Sequence, residues 1–473
     1  MPWIKPGIRE KHYPGMKVLK FGGTSVGTVS SLRNLKAIAG SLSEPAIIVV
    51  SALGGLTDQL IATADMAAGG NPEYHQRVQE FTARHFHIIN EVVPEERREE
   101  VKKEVGALLS NLEDIYTGVS LLEDVSDRTL ARIVGFGERM SSLIVAAMLG
   151  ADHHDSLRFV KTERWFDKNI ADRELTDRMI RDEFPLPLQR HAVCGGFISR
   201  DRDTAEVTNL GRGGSDYTAA LIAAALDAES LEIWTDVNGF MTADPRIISD
   251  ARVIDRMSFI ESMELCSFGA KVIYPPTIYP VFHKNIPIRI LNTHNPTAPG
   301  TLICDNSDTL PDDVRGVSAV KNCSMVSVEG VGTADVPDLN SRTFNSMARH
   351  GIRVFLVAQT QSDEVFSFVT DAKDAPKAKA ALESEFAPEL QQRKVSSIEC
   401  VDKLAVIAVV RESIKQITGL GDKLVHAMSA DGINVLATSD GASETTVAMV
   451  VGADDADRAV ATAHAVCFGP NEE

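Results

Sequence analysis

The stretch VLKFGGTSVG, residues 18–27, runs from a β-rich segment into paired glycines, two hydroxyl residues and a helical pattern. Glycines let backbone N–H groups approach an anion, and a helix N-terminus favours phosphate. Lys20, just before the glycines, can neutralise phosphate charge. The stretch matches neither the P-loop nor the G-x-G-x-x-G dinucleotide turn. Taken alone, such a turn is more often structural than a ligand site.

Outward from this stretch, short β-rich runs alternate with helical patterns, which predicts an α/β sheet domain. The predicted strands are 18–21, 46–51, 233–235 and 288–292, and the predicted helices are 32–42, 57–68, 141–149 and 217–226. Residues 76–132 have a helical period throughout. Within them, PEERREEVKKE (94–104) is interpreted as a solvated helix face without chemistry.

The C-terminal part of the chain repeats itself. A stretch rich in Pro, Asn, Asp and Thr (292–313) marks the edge of the first domain. Beyond it, residues 325–370 and 404–451 share the order strand, helix, strand, strand, so each copy is a βαββα(β) unit of about 75 residues. One copy is too thin to bury both sheet faces, and we expect the copies to pair within or between chains.

Length and composition predict the number of domains and exclude some classes of partner. A chain of 473 residues predicts about two to four domains. The net charge of −18 argues against nucleic acid or an anionic membrane as the main partner. The apolar runs fall short of the roughly 20 residues of a membrane span. Six separated cysteines without a C-x-x-C pair predict reduced thiols and a cytoplasmic location. Residues 1–15, with three prolines, are predicted to be a tail, with Met16 as an alternative start.

A second glycine-rich turn precedes a helix in NLGRGGSDYTAALIAAAL, residues 209–226. It adds Arg212 and Asp216 beside exposed backbone donors. An N-cap aspartate with a surface arginine is the simpler interpretation. Three glycines in four positions around an arginine favour an anion site instead. The G-x-S-x-G hydrolase motif is absent, because Tyr217 stands at its last glycine.

Three further stretches carry polar residues. EIWTDVNGFMTADPRI (232–247) places Thr235 and Asp236 at a strand's carboxyl end, where open α/β sheets bind ligands, although an Asx turn would also explain them.

FGAKVIYPPT (268–277) carries Lys271, which alone means little. GFGERMSSLIVAAMLG (135–150) places Glu138 at the predicted start of an apolar helix. Burying a carboxylate there costs free energy unless a cation pairs with it. The alternative is that Glu138 caps the helix or forms a surface pair beside Arg139.

Together, KFGGTSV, GRGGSDY, WTDV…DPR and FGAKV resemble the aspartokinases of the amino-acid kinase superfamily, from about Lys17 to Phe468. The repeats resemble the family's ACT regulatory domains. The resemblance implies an α/β fold, with an amino-acid kinase three-layer αβα sandwich over 16–305. Two ACT-type (βαββαβ, ferredoxin-like) domains follow at 315–396 and 397–473, and whether they interleave is left open.

The resemblance implies transfer of the γ-phosphoryl group of ATP to the β-carboxylate of L-aspartate, giving 4-phospho-L-aspartate, which enters lysine, threonine and methionine synthesis. Lys20 and Lys271 would be the catalytic cations, held by Asp216. Mg²⁺ would be bound mostly by phosphate oxygens and water. The residues implied at ATP are Gly22, Gly23, Thr24, Ser25, Thr235, Asp236, Arg246 and Val272. Those implied at aspartate are Ser51, Thr57, Glu138, Phe197, Arg212 and Ser215.

Regulation is implied at Gln359, Asn434 and Asp440, with threonine or lysine as the effector. Gln359 agrees with threonine-responsive relatives, but Asp440 stands at its counterpart in the second repeat, so the effector stays open. A homodimer or homotetramer is expected. The chain most resembles the kinase half of fused aspartokinase–homoserine dehydrogenases, without the dehydrogenase fingerprint, and is either monofunctional or truncated.

Two alternatives remain. One is a kinase for another carboxylate or a carbamate. The other is a ligand sensor with an inactive kinase domain, against which the joint presence of Lys20, Asp216, Asp236 and Lys271 argues.

Overall fold

The computed structural model describes residues 15–165, 168–305, 314–330, 336–359, 365–414, 418–439 and 445–469. Residues 1–14 of the predicted tail and the predicted effector residue Asp440 lie outside these ranges. The strands are β1 (Lys17–Phe21), β2 (Ile47–Val50), β3 (Asp152–His154), β4 (Lys161–Trp165), β5 (Lys168–Ala171), β6 (Ala192–Gly195), β7 (Ile198–Asp201), β8 (Val207–Asn209), β9 (Ser230–Thr235), β10 (Arg256–Met257), β11 (Ile288–Asn292), β12 (Thr301–Ile303), β13 (Gly316–Gly330), β14 (Leu356–Gln359), β15 (Val365–Asp371), β16 (Val395–Val410), β17 (Val435–Ser439) and β18 (Thr446–Gly452).

The helices alternate with these strands. They are α1 (Gly23–Val26), α2 (Val29–Gly40), α3 (Leu56–Ala68), α4 (Tyr74–Val92), α5 (Glu95–Leu122), α6 (Asp127–Leu149), α7 (Arg173–Glu183), α8 (Gly214–Ala225), α9 (Phe259–Ser267), α10 (Ile278–Phe282), α11 (Val336–Arg349), α12 (Ala375–Glu385), α13 (Ala387–Gln391), α14 (Leu420–Ala430) and α15 (Ala456–Phe468). None of those in the described ranges is both long and apolar enough to cross a membrane.

The chain divides into two compact units, and the first comprises residues 15–240 and 272–305 of the described chain. Seven of its strands lie in one sheet, in the order β12-β11-β9-β1-β2-β6-β3. All neighbours are parallel except β11 and β12. Each residue of β2, Ile-Ile-Val-Val, is buried, as expected for a parallel strand covered on both faces. The predicted α/β fold is confirmed.

The register of the parallel strands brings their carboxyl ends to one edge. Phe21 of β1 lies opposite Val50 of β2 and Trp234 of β9, and Val50 lies opposite Gly195 of β6. Ligands of open α/β sheets bind at this edge. The connections that leave the sheet there begin with Gly22, Ser51, Gly196 and Asp236.

Helix α6 differs from its prediction. It begins at Asp127, where the side chain of Ser126 accepts a hydrogen bond from the N–H of Thr129, and not near residue 141. Gly135 and Gly137 do not break it. A Cβ at Gly137 would lie 2.6 Å from the Cβ of Ala52, so this glycine allows close packing of the helix. Glu138 therefore lies in the middle of α6.

The second unit comprises residues 241–271 and the described residues from 314 onward. Its two repeats join in one six-stranded sheet of order β14-β15-β13-β16-β18-β17. The long strands β13 and β16 pair antiparallel, from Gly316 opposite Val410 to Gly330 opposite Val395. The expected pairing of the copies thus occurs within the chain, and the ACT-type fold is confirmed. The predicted boundary at residues 396 and 397 falls inside β16, which serves both repeats.

Candidate active site

A cavity of about 250 Å³ opens at the carboxyl edge of the first unit's sheet. Each residue predicted to bind the amino-acid substrate lines it, together with Lys20 and Asp216. The complete lining is Lys20, Ser51, Thr57, Glu138, Phe197, Gly211, Arg212, Gly213, Gly214, Ser215 and Asp216. These residues come from five separate segments of the chain, and the fold brings them together.

One of the two cations of this cavity, Lys20, is held by an ion pair. The Nζ of Lys20, on β1, lies 2.6 Å from Oδ1 of Asp216, in the first turn of α8. Both side chains are buried. Because few other positions satisfy a buried ammonium and its carboxylate, the pair fixes Nζ at the edge of the sheet.

Glu138 is only 4% exposed. Its Oε1 accepts a hydrogen bond of 3.1 Å from the N–H of Ala52, whereas its Oε2 is buried without a hydrogen-bond partner in the described chain. Burial raises the pKa of Glu138 to about 7, because it disfavours the charged form. The alternative of a capping or surface-paired Glu138 is therefore wrong. A cation bound in the cavity would satisfy this carboxylate oxygen and favour its ionised form.

Glu138→Gln is expected to stabilise the ligand-free protein at alkaline pH. The folded protein raises the pKa of Glu138 from 4.5 to about 7, so it holds the proton more tightly than the unfolded chain. The stability contributed by the protonated form is full below about pH 4.5 and is lost as pH rises through about 7. Glutamine avoids this loss. The free energy of unfolding of Glu138→Gln should therefore exceed that of the unaltered chain by an amount that grows from pH 5 to pH 8, to at most about 3 kcal/mol.

Calorimetric melting at both pH values measures this advantage. Glu96→Gln, at an exposed position of α5, is the control and should show no such change. An equal effect of Glu138→Gln at pH 5 and pH 8 would contradict the prediction.

Glycines allow the walls of the cavity to meet. A Cβ at Gly196 would lie 2.5 Å from the Cα of Ser215, and one at Gly214 would lie 2.8 Å from Cδ2 of Phe197. Gly213 also has a φ of +69°, which L side chains rarely adopt. The loop after β6 and the turn before α8 can therefore approach closely, which places Phe197 and Ser215 at the cavity.

Three other predicted substrate residues lie at its rim. Ser51 and Thr57 are half-buried and Arg212 is exposed. The carbonyl oxygen of Ser51 accepts a hydrogen bond of 2.7 Å from Oγ of Ser141, which ties the loop after β2 to α6.

Two residues of the predicted phosphate cradle form hydrogen bonds within the first glycine turn. The N–H of Gly22 donates to the carbonyl of Trp234 at 3.1 Å, and the N–H of Ser25 donates to the carbonyl of Gly22 at 2.9 Å. The Ser25 hydroxyl is buried 2.7 Å from Oγ1 of Thr293. Ser25 and Gly22 thus stabilise the turn itself, and their role at ATP stays a prediction. Thr24 remains available, because the first N–H groups of a helix lack intrahelical acceptors.

One positioning residue was not predicted. Arg84, on α4, donates from Nη2 to the carbonyl oxygens of Gly27 at 3.2 Å and Gly54 at 2.9 Å. It thereby joins the first glycine turn to the loop after β2. No local signal could have identified it, because both partners are distant in sequence and Arg84 lies in an ordinary helical pattern.

The remaining predicted residues are spread over both units. Thr235 is half-buried and Asp236 exposed at the end of β9, and Val272 is half-buried. Arg246 and Lys271 belong to the second unit. Arg246 forms a two-contact ion pair with Asp244, at 2.6 and 3.0 Å, and Lys271 is exposed. Their roles stay predictions.

Two of the predicted effector residues are described, and both are exposed. The Oε1 of Gln359 accepts a hydrogen bond of 3.3 Å from Nδ2 of Asn340. Asn434 immediately precedes β17. The structure does not test their roles.

Comparison with known proteins agrees with this architecture. The Amino acid kinase family profile matches residues 15–292, and the ACT domain profile matches residues 326–386 and 407–466. The bifunctional aspartokinase/homoserine dehydrogenase of Haemophilus influenzae is 32% identical over 96% of this chain and 56% of its own length. The lysine-sensitive aspartokinase 3 of Escherichia coli is 28% identical over 95% of this chain and 99% of its own.

A solved structure resembles the whole chain. The crystal structure of E. coli aspartokinase III in complex with aspartate and ADP (R-state) superposes with a TM-score of 0.82 and 27% identity, covering 96% of this chain and 100% of that one. The chain spans about half the length of the bifunctional curated relatives that it matches.

Proposed function

Because the chain belongs to the amino acid kinase family and carries ACT domains, we propose that it is an aspartate kinase. It transfers the γ-phosphoryl group of ATP to the β-carboxylate of L-aspartate and releases 4-phospho-L-aspartate and ADP. The observation that carries the proposal is the cavity at Glu138, which a residue with a buried, unpaired carboxylate oxygen lines together with an arginine and a fixed lysine.

The charges of the cavity complement an amino acid with a second carboxylate. Glu138 binds the ammonium group through Oε2, which has no other partner in the described chain. Arg212 binds the α-carboxylate, since a guanidinium offers two parallel donors to a carboxylate. The β-carboxylate then extends towards Lys20. Aspartate satisfies all three groups at once. The solved E. coli relative binds aspartate and ADP, which supports this assignment.

The main obstacle to the reaction is charge repulsion, because an anionic carboxylate approaches an anionic triphosphate. Lys20 reduces this repulsion, and its pair with Asp216 keeps Nζ in place without reorganisation during transfer. The backbone N–H groups of Gly23 and Thr24 add donors at the phosphates. Lys271 is proposed as the second cation, and Thr235, Arg246 and Val272 as nucleotide contacts.

Mg²⁺ is proposed to enter with the nucleotide. The ion usually keeps waters and takes only one or two protein carboxylates besides the phosphates. Asp216 is engaged by Lys20, whereas Asp236 is exposed at the end of β9, so Asp236 suits such a limited contact. When bound, the ion neutralises charge on the phosphates.

A hydroxylamine assay tests the proposal. Purified protein with ATP, Mg²⁺, aspartate and hydroxylamine should form aspartyl hydroxamate, because hydroxylamine traps acyl phosphates. N-acetylaspartate should react poorly, since it lacks the ammonium group that Glu138 binds. Product from glutamate or N-acetylglutamate but none from aspartate would reject the assignment.

Arg212→Ala is expected to raise the aspartate KM by about tenfold, because the α-carboxylate loses two charge-assisted hydrogen bonds at an exposed position. The ATP KM and kcat should change little. Steady-state kinetics with each substrate varied in turn measures the effect. Arg33→Ala, which removes an exposed arginine of α2, is the control. An effect confined to ATP would show that Arg212 is placed wrongly.

Amino-acid control through the paired repeats is part of the proposal. An effector that binds one arrangement of the repeats better than another shifts their populations and changes activity. Lysine is favoured because the E. coli relative is lysine-sensitive, and threonine is the alternative, with Gln359, Asn434 and Asp440 as candidate contacts. Titration of each against activity distinguishes them. Light scattering tests the proposed homodimer or homotetramer.

A further inference from the structure

A second cavity of the first unit, of about 470 Å³, lies among α5, α6 and the β7–β8 hairpin. It shares no lining residue with the cavity at Glu138. Four arginines line it, three from α6 and one from β7, against the two carboxylates Asp155 and Glu206. The titratable lining thus carries a net charge of +2 in a chain of net charge −18.

Two of these arginines are already engaged. Nη1 of Arg128 lies 2.8 Å from Oε1 of Glu206, which is a direct ion pair. Nε of Arg139 lies 3.9 Å from Oδ2 of Asp155, at the limit of an ion pair. Each of the two carboxylates of the cavity therefore compensates the charge of one of these two guanidinium groups.

The other two arginines have no such compensation. Within the described ranges, neither Arg132 nor Arg200 forms an ion pair, and the Nε of Arg200 is buried without a hydrogen-bond acceptor. A buried donor without a partner costs free energy that a bound acceptor would recover. Because guanidinium groups match oxyanions, the uncompensated pair indicates an anionic ligand.

The remaining lining describes the rest of that ligand. Phe136, Ile198 and Val207 contribute apolar surface, and the guanidinium carbon of Arg139 lies 5.5 Å from the ring centroid of Phe136. An inorganic ion would fill only part of this cavity of about 470 Å³. We propose that this arginine cavity is a second ligand site, and that it binds a small phosphate monoester with an apolar body.

The site adjoins the substrate cavity through shared elements. On α6, Glu138 lines the substrate cavity and the next residue, Arg139, lines the arginine cavity. At the start of β7, Phe197 lines the substrate cavity and the next residue, Ile198, lines the arginine cavity. A bound ester would thus contact the immediate neighbours of two proposed substrate residues.

Calorimetric titration of the full chain with phenyl phosphate tests the proposal. We expect one ester bound per chain. Arg200→Gln should weaken binding at least about tenfold, and the exposed Arg132→Gln should weaken it several-fold without risk to folding. Arg33→Gln, outside the cavity, should leave binding unchanged. Phenol, the uncharged counterpart of the ester, should not bind.

Lys20→Met separates the two cavities, because it removes the cation at Glu138 and should leave binding of phenyl phosphate intact. Loss of binding in Lys20→Met would assign the ester to the substrate cavity and overturn the proposal. Affinity in Arg200→Gln and Arg132→Gln equal to that of the unaltered chain would overturn it too, as would failure of that chain to bind up to about 10 mM ester.

Discussion

Lys20→Met is expected to lower kcat by at least about a hundredfold, because one fixed charge aimed at a transferring group contributes about that much or more. The Nζ of Lys20 is buried and held 2.6 Å from Asp216 at the carboxyl edge of the sheet. Its loss removes charge stabilisation that matters most while the phosphoryl group moves. The aspartate KM should therefore change only a few-fold. Hydroxamate formation at saturating ATP and aspartate measures kcat.

The control for this prediction comes from the same strand. Lys17 also forms an ion pair, at 3.0 Å from Glu232, but it does not line the cavity. Lys17→Met should keep near-normal turnover. Because Lys20→Met leaves a buried carboxylate without its partner, Lys20→Met with Asp216→Asn is the second test. It should recover stability but not kcat. Near-normal turnover in folded Lys20→Met would show that this lysine is not catalytic.

Glu138→Gln is expected to raise the aspartate KM by about a hundredfold, since truncating a buried charge pair typically costs more than about 2 kcal/mol. The variant keeps the shape of the side chain and loses only the negative charge that pairs with the ammonium group of aspartate. Steady-state kinetics with aspartate varied measures the effect. The ATP KM is the internal control and should stay unchanged. An unchanged aspartate KM would remove Glu138 from the substrate site.

The same residue should make aspartate binding depend on pH. The pKa of Glu138 is about 7 in the ligand-free protein, and only the ionised carboxylate pairs with the ammonium group. The aspartate KM should thus fall as pH rises from 6 to about 7 and level off above, whereas the KM of Glu138→Gln should stay flat. Burial lowers the pKa of His153 on β3, which shifts its protonation to more acidic pH. Parallel profiles for both proteins would contradict the prediction.

Much of this molecule is encoded locally. The strand predicted at 288–292 coincides with β11, and the repeated order of elements in 325–370 and 404–451 recurs in the two halves of the second sheet. Strand periodicity and turn glycines depend on neighbouring residues, and so the α/β class and the paired repeats could be predicted. The residues at the substrate cavity followed from the family resemblance, and the fold gathers them at one edge.

Other features depend on contacts between distant segments, which only the tertiary structure decides. Glu138 is predicted at the start of an apolar helix, yet Gly137 lets the middle of α6 pack on Ala52, and Glu138 is buried with its Oε2 unpaired. Arg84 and the arginine cavity likewise join residues with no common sequence signal. The physical reason is that burial and charge compensation belong to the packed surroundings of a side chain, whereas backbone preference belongs to the residue and its neighbours.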